Sequence, residues 1–317
     1  RARHWTPLLL TAAAVLGTAP ACRSASRGAT DQSAEVERAT REAIRNERAI
    51  DPATFPPSTL GVTPLRVSAS DTLIEPLGYG LADLLLADLA RSAQLQVVDR
   101  LRVDVLLRET ALGQSGAVDP ATAPRVGRLL GARRLVVGGL TQVPSGGLRL
   151  DARVVDVQTS AVDASIGATA PLDRILDAEK ALAFQLFDRL GVTLTPAERA
   201  AVEQRPTRDI GALLAYGRAV RFEALGDYAA AADAYEGAAA RDPGFGAAQA
   251  RATALRARFP RGPAAARTTR LRAASLRAAS EVNRSLAGQS GFGPNAADPA
   301  FRRAQASTVV IIIHTVP

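Results

Sequence analysis

Two glycines that open a helical stretch, Gly78 and Gly80, are the pattern in this sequence that most suggests chemistry. A glycine-rich turn at the start of a helix can cradle a phosphate with its backbone N–H groups. A dinucleotide-binding turn, however, needs a third glycine three residues after the second, and Asp83 stands there. Its carboxylate would repel a pyrophosphate, and no Lys-Ser/Thr pair of a P-loop follows. We interpret the glycines as relief of crowding where the chain turns into a helix, and we predict no cofactor.

Nucleophilic and metal-based chemistry is limited by the small number of reactive side chains. The 317 residues include 2 histidines, His4 and His314, near opposite ends, and 1 cysteine, Cys22. A Ser-His-Asp triad, a Cys-His dyad or a histidine-rich metal site needs residues that this composition does not supply. We therefore predict no catalytic residue and no metal site.

The elements that would position any site are those of an α/β domain over residues 58–192, with a mixed sheet. In its first strand pattern, Pro64 suggests an edge or a bulge. In the helix that follows, Asp83 and Asp88 fall opposite the apolar arc and Leu84 is a misfit, which predicts an amphipathic helix. The strand patterns cover residues 59–67, 95–100, 133–143, 148–159 and 161–170, and the helical patterns cover 78–89, 102–112, 122–130 and 175–190.

Residues 1–22 have the layout of a secretory signal peptide. Arg1 and Arg3 precede an apolar run over residues 8–17, which is too short to span a bilayer. The small residues before Cys22 resemble a bacterial lipobox, in which the cysteine becomes the lipid-bearing N-terminus. We predict lipidation of Cys22, with an ordinary signal peptide and a chance cysteine as the alternative. Residues 23–57 predict a polar linker with a helix at about 35–48, holding the folded part off the membrane.

Four motifs in the α/β domain resemble the CsgG/HfaB family of curli-assembly lipoproteins, to which FlgO and the amino-terminal domain of TolB are related. They are a Val-Val-x-Arg strand end, a helix ending in Leu-Leu-x-Glu, a Ser-Gly-x-x-Asp linker and a Leu-Gly-Ala-x-x-x-Val-Val-Gly strand. The matching residues are Val97, Val98, Arg100, Leu106, Leu107, Glu109, Ser115, Gly116, Asp119, Leu130, Gly131, Ala132, Val136, Val137 and Gly138. The resemblance covers residues 60–190 and implies the fold more than an activity.

Residues 209–259 predict a small all-α domain that resembles the second half of a tetratricopeptide (TPR) repeat. The matching residues are Ala219, Phe222, Tyr228, Ala231, Tyr235, Ala238 and Pro243. A single copy is too few to be stable alone. We therefore expect it to dock on the α/β domain or to pair with another chain. The aromatic face either packs internally or contacts a protein partner, and both interpretations stay open.

The C-terminal part, residues 260–317, predicts a basic helix followed by a strand. Between Arg251 and Arg284 there are 9 arginines and 1 acid, which favours a solvated helix or an anionic surface as a partner. A secreted protein is not expected to bind nucleic acid, and aromatic platforms for single strands are missing from this stretch. The β-branched run in residues 308–317 is typical of a strand that completes a sheet or pairs with a partner chain.

Taken together, these patterns predict a non-catalytic bacterial envelope lipoprotein that acts in assembly or scaffolding through contacts with other envelope proteins. It would be lipid-anchored at the periplasmic face of the outer membrane, and a homo-oligomer stays open. One alternative is a subunit of a curli-type secretion channel, whose subunits contribute long membrane hairpins, although this sequence has no room for two. Another is a cell-wall enzyme that uses carboxylates alone, with Asp99, Glu109 and Asp119 as first candidates.

Overall fold

The computed structural model describes residues 24–110, 118–144 and 146–260, with side-chain surroundings from residue 34 onward. The predicted signal peptide with Cys22, the motif residues Ser115 and Gly116, and the tail from residue 261 lie outside these ranges. Within them, a mixed sheet of six strands carries helices on both faces, and a helical region follows. This architecture confirms the predicted α/β class with a C-terminal helical part.

The elements follow the predicted order closely. The strands are β1 (Thr59–Val62), β2 (Arg66–Ser68), β3 (Gln96–Val97), β4 (Arg134–Gln142), β5 (Leu148–Asp156) and β6 (Ile166–Ala170). The helices are α1 (Ser24–Arg45), α2 (Leu77–Leu89), α3 (Arg100–Thr110), α4 (Ala123–Leu130), α5 (Ile175–Leu190), α6 (Pro196–Glu203), α7 (Ile210–Ala224), α8 (Tyr228–Arg241) and α9 (Gly246–Arg258).

The sheet has the order β3-β1-β4-β5-β6, and β2 pairs with β4 beyond the end of β1. Strands β1 and β2 both run parallel to β4, whereas β5 and β6 are antiparallel additions. The predicted strand over 59–67 is broken around Pro64, which has no N–H to donate to a ladder. Beyond the break, the Leu65 N–H donates to the carbonyl oxygen of Gly78 at 3.0 Å.

Each face of the sheet has its own hydrophobic core. On one face, α2, α5 and the helices α7, α8 and α9 enclose the larger core together with alternate residues of the strands. On the other face, α3 and α4 cover only one end of the sheet, over Leu135, Val137, Val155 and Val157. The helical region therefore shares a core with the α/β part.

Helix α2 is not amphipathic as predicted. Asp83 and Asp88, which were expected at the surface, are each only 4% exposed, and the misfit Leu84 is 6% exposed. The reason is that α5 and α7 both pack on α2, so the side opposite the apolar arc faces protein instead of water. The two aspartates must therefore find partners inside the protein.

Residues 24–57, expected as a polar linker, contain the long helix α1 and contribute to the second core. Ala43, Ile44 and Ile50 pack against that core, and α1 contacts α3 and α4. Two surface ion pairs accompany this packing, from Arg41 to Glu109 and from Arg125 to Glu47. The part of this stretch from Ala43 to Ile50 is thus folded against the domain and does not extend away from it.

Candidate functional site

The two glycines at the start of α2 are positions of close helix and backbone approach. A β-carbon on Gly78 would lie 2.3 Å from the carbonyl oxygen of Leu65, and one on Gly80 would lie 3.0 Å from the α-carbon of Gly217 in α7. The space that a phosphate would need is occupied by neighbouring backbone. This geometry confirms the interpretation of the glycines as relief of crowding.

The TPR-like residues lie mainly inside the helical region. Ala219, Ala231, Tyr235 and Ala238 are each 0% exposed, so they contribute to packing between α7, α8 and α9. Tyr228 is half-buried, and its ring stacks on Phe259 with the centroids 4.9 Å apart. Phe222 is half-buried and Pro243 is exposed. Of the aromatic positions, only Phe222 and Tyr228 retain surface toward solvent, and their role toward a partner stays a prediction.

Asp83 is the centre of a buried polar network that joins α2 to the helical region. Its Oδ1 lies 3.0 Å from Nη2 of Arg251 and 2.8 Å from Nε of Arg100, the latter as an ion-pair contact. Its Oδ2 accepts a hydrogen bond from the hydroxyl of Tyr216. One carboxylate of α2 thereby links α3, α7 and α9.

The same network continues through Glu223 of α7. Its Oε2 accepts from the Tyr235 hydroxyl at 2.7 Å and from Nη1 of Arg251 at 2.8 Å, and it pairs with Arg100. Arg100 also lies 3.1 Å from Asp104 through Nη1. We call this set of residues the Asp83 network: Asp83, Arg100, Asp104, Tyr216, Glu223, Tyr235 and Arg251.

Protonation completes the charge balance of the Asp83 network. Three carboxylates face two guanidinium groups, which leaves one negative charge in excess if all of them ionise. Burial raises the pKa of Asp104 to about 7, although the nearby Arg100 acts in the opposite direction. At neutral pH this carboxyl group is therefore partly protonated. Such a raised pKa can mark a catalytic acid, but Asp104 is only 4% exposed within a packed interface, where a substrate would have little access to it.

A second buried group of charges lies where α2 meets α5. Nζ of Lys180, the only lysine in the chain, lies 2.5 Å from Oδ2 of Asp88 and 3.1 Å from Oε2 of Glu179. Glu179 is 0% exposed, and burial raises its pKa to about 8. Burial therefore favours the neutral form of Glu179 at neutral pH, beside the contact between Lys180 and Asp88.

The three carboxylates proposed for an enzymatic alternative lie in separate structural contacts. Asp99 Oδ1 accepts from the N–H of Leu101 at the start of α3, and Asp119 Oδ1 accepts from the N–H of Ala121 before α4. Glu109 pairs with Arg41 of α1. The structure does not bring them together as an acid and a base on opposite sides of a substrate.

One end of the sheet is left uncovered by the described helices, on the face that carries α3 and α4. Strand registers align Ser68, Thr141, Arg149 and Thr169 in one row across four strands, and Arg66, Gly139, Asp151 and Gly167 in the next. A groove of about 280 Å³ runs between these strands and the segment 118–120. We call this surface the open face and define it by its exposed side chains: Arg66, Ser68, Thr141, Arg149, Arg153 and Thr169.

The free edge of the sheet at β6 is closed by a side chain. Gln185 of α5 accepts from the N–H of Gly167 at 3.1 Å and donates to the carbonyl oxygen of Gly167 at 3.3 Å. An unpaired strand edge is a template for pairing with another chain. Gln185 occupies hydrogen-bonding groups that such a chain would need.

Neither a metal-binding cluster nor a membrane-crossing helix occurs within residues 24–110, 118–144 and 146–260. In these ranges no group of His, Cys, Asp and Glu side chains could hold a metal ion. None of the helices described there combines the length and the apolar character needed to cross a bilayer.

Comparison with known proteins supports the resemblance found in the sequence. The family model described as "Curli production assembly/transport component CsgG" matches residues 61–147, a range that runs from β1 to the turn before β5. No curated protein sequence matches the chain significantly. This match does not reach residues 209–259, so the TPR-like assignment stays a prediction.

Two solved structures similar to this chain are both of LpoB. The C-terminal domain of LpoB from Salmonella enterica shares 14% identity over 43% of this chain and 95% of that chain, with a TM-score of 0.31. The NMR structure of E. coli LpoB shares 13% identity over 54% of this chain and 80% of that chain, with a TM-score of 0.30.

Proposed function

We propose that this protein is a non-catalytic lipoprotein of the bacterial cell envelope that supports assembly through contacts with other proteins. The observation that carries the proposal is the match of residues 61–147 to a family described as a curli assembly and transport component. Residues 1–22 add the lipoprotein signal pattern. The proposal places the protein at the periplasmic face of the outer membrane, anchored through lipid on Cys22.

The placement of the charged side chains among the described residues supports a role in binding other proteins. The candidate carboxylates Asp99, Glu109 and Asp119 hold helix ends or an ion pair. The buried charges of the Asp83 network and of the Lys180 pair join helices to each other. Three exposed arginines of the open face, Arg66, Arg149 and Arg153, have no ion-pair partner among the described residues, and a protein surface could reach them there.

Acylation is tested by labelling cells with an alkyne fatty acid. Wild-type protein is compared with Cys22→Ala, and a Ser24→Ala variant serves as a matched control next to the same site. The proposal predicts label and membrane-fraction protein in wild type and Ser24→Ala, with both lost in Cys22→Ala. Equal labelling in all three, or wild-type protein without label, contradicts the lipid anchor.

Protein contact is tested by site-specific photo-crosslinking in cells. A photoreactive amino acid is placed singly at exposed positions on different elements, such as Arg102 of α3, Arg153 of β5 and Gly237 of α8. The scaffolding role predicts a discrete crosslinked product from at least one position and none from the rest. The scaffolding role is overturned if no exposed position gives a crosslinked product and the acylated protein hydrolyses a cell-wall glycan.

A channel subunit is the second candidate, because the family description includes transport. In this chain, β4 and β5 are joined by a short turn in which the Val143 N–H donates to the carbonyl oxygen of Gly147 at 2.9 Å. That connection leaves no membrane hairpin between the two strands. Conductance of the detergent-purified protein in a planar bilayer decides between the candidates, since the scaffold predicts none and a channel subunit predicts discrete openings.

A further inference from the structure

The open face carries arginines whose pairing capacity is unused within the described chain. Arg66, Arg149 and Arg153 are exposed and make no hydrogen bond or ion pair with any described residue. Asp151 lies between Arg149 and Arg153 along β5, yet among the described residues its carboxylate accepts only from the Ser165 hydroxyl, at 3.4 Å. The other carboxylate that lines the groove, Asp119, holds the turn before α4.

Unpaired exposed arginines also occur elsewhere among the described residues, such as Arg102, Arg208 and Arg218, but these lie on or before different helices, whereas Arg66, Arg149 and Arg153 come together on one face of the sheet. Arg41, Arg125, Arg205 and Arg241 are also exposed, and each lies within 3.5 Å of a carboxylate oxygen. The open face therefore combines an accessible groove with guanidinium groups that meet no carboxylate among the described residues. Arginine can bind a carboxylate through two parallel hydrogen bonds, which neither water nor a backbone carbonyl reproduces.

The shape of this surface suits an extended segment. In the row Arg66, Gly139, Asp151 and Gly167, two of the four positions lack a side chain, so the backbone of the sheet is accessible between the charged residues. Ser68, Thr141 and Thr169 in the neighbouring row add hydroxyl groups that both donate and accept. A membrane surface would gain from exposed large apolar side chains here, and the open face has none among its defining residues.

We propose that the open face binds an acidic, extended segment of a partner protein, whose carboxylates pair with Arg66, Arg149 and Arg153. This inference rests on the proposed scaffolding function and adds the surface and the chemistry of the partner. The contact is electrostatic and weakens as salt is added, because all three guanidinium groups are at the solvent boundary.

The test measures binding of fluorescein-labelled hexaglutamate to purified protein by fluorescence anisotropy, with labelled hexaglutamine as the neutral probe. Wild type is compared with Arg66→Glu/Arg149→Glu/Arg153→Glu. The matched control, Arg102→Glu/Arg208→Glu/Arg218→Glu, has the same change in net charge at exposed arginines without an ion pair among the described residues. We expect saturable binding of hexaglutamate only, an affinity lowered about tenfold or more in the first variant, and a change below about threefold in the control.

Two further measurements separate loss of binding from loss of folding and peptide binding from lipid binding: a variant with neutral substitutions, and binding to lipid vesicles. If the glutamate variant loses its cooperative thermal transition, it is replaced by Arg66→Gln/Arg149→Gln/Arg153→Gln. The affinity of this neutral variant for hexaglutamate should be lowered to the same extent. Vesicles of phosphatidylglycerol and phosphatidylcholine are offered in parallel. Equal loss in the open-face and control variants, no binding to wild type, or loss confined to vesicle binding overturns the proposal. Acylation and crosslinks through another face would in that case still support the scaffolding function.

Discussion

Gly80 of α2 and Gly217 of α7 face each other where the two helices cross, and a β-carbon on Gly80 would lie 3.0 Å from the α-carbon of Gly217. On the other side, a β-carbon on Gly217 would lie 2.3 Å from the carbonyl oxygen of Pro76. This crossing brings the helical region close enough to α2 for Tyr216 and Glu223 to reach the Asp83 network. The predictions that follow concern this contact and the charges that depend on it.

Substitution of Gly217 by alanine should lower the free energy of unfolding by about 1–3 kcal/mol. The added methyl group meets backbone that cannot rotate away, so the crossing must open. Urea denaturation followed by circular dichroism measures the change. The control is Gly237→Ala in α8, where a β-carbon meets nothing within 4 Å and alanine should stabilise the helix by up to about 1 kcal/mol. Stabilisation of both variants would contradict the close crossing.

Removal of the Tyr216 hydroxyl by Tyr216→Phe should destabilise the protein by about 1.5–3 kcal/mol, because it removes a hydrogen bond to the buried Asp83 carboxylate. The measurement is again urea denaturation at pH 7. Tyr228→Phe is the matched control, since its half-buried ring stacks on Phe259 and its hydroxyl makes no hydrogen bond with the described residues. The control should change by no more than about 0.5 kcal/mol. An equal change in the free energy of unfolding for Tyr216→Phe and Tyr228→Phe would show that the hydrogen bond to Asp83 does not contribute to stability.

Stability should depend on the protonation of Asp104. Its folded-state pKa is raised from 3.8 to about 7, so the native state holds a proton that the unfolded chain releases. The contribution is fully present below about pH 4 and is lost as the pH rises through about 7, at about 1.4 kcal/mol per pH unit. Relative to Asp104→Asn, wild type should therefore lose about 3 kcal/mol between pH 5 and pH 8.

The matched control for this pH dependence is Asp156→Asn. Hydrogen bonds from Thr159 and the charge of Arg133 lower the pKa of Asp156 despite some burial, so its contribution is lost only as the pH falls. Between pH 5 and pH 8 this variant should differ from wild type by a constant amount. A pH-independent difference between wild type and Asp104→Asn would contradict the raised pKa.

Gln185 should protect the edge of β6. Gln185→Ala removes both of its hydrogen bonds to Gly167 and is expected to cost about 1–2 kcal/mol. It also frees an edge for intermolecular pairing, so light scattering on heating should rise earlier than in wild type. Asp188→Ala, an exposed position on the same helix, is the control and should leave the scattering onset unchanged.

The elements of the α/β part could be predicted because each is defined by its own residues. The break at Pro64 follows from the missing N–H, and the helix at 78–89 matches α2 at Leu77–Leu89. The end of helix α4 at Gly131, with φ at 71°, follows from the conformational freedom of glycine. Such signals are local, and the structure reproduces them within a few residues.

The Asp83 network could not be predicted, because it depends on contacts between distant segments. A helical wheel places Asp83 and Asp88 opposite the apolar arc but gives no information about α7, which covers that side. By sequence, Arg251 belongs to the arginine-rich stretch that leads into the basic tail, yet its Nη2 lies 3.0 Å from Oδ1 of the buried Asp83. The open face could not be predicted for the same reason, because Arg66 and Arg149 become neighbours only when β2 and β5 both pair with β4.

The position of α2 between α5 and α7 limits where this protein can be truncated. The family match ends at residue 147, but a fragment cut there would lose β5, the strand that pairs with β4, and helix α5, which belongs to the same hydrophobic core as Val136 and Leu140. A cut after α5 would strip α7 from α2 and leave Asp83 without Tyr216 or Arg251. A fragment that keeps both cores therefore needs residues 43–259, and the end of the family match is the wrong place to divide the chain.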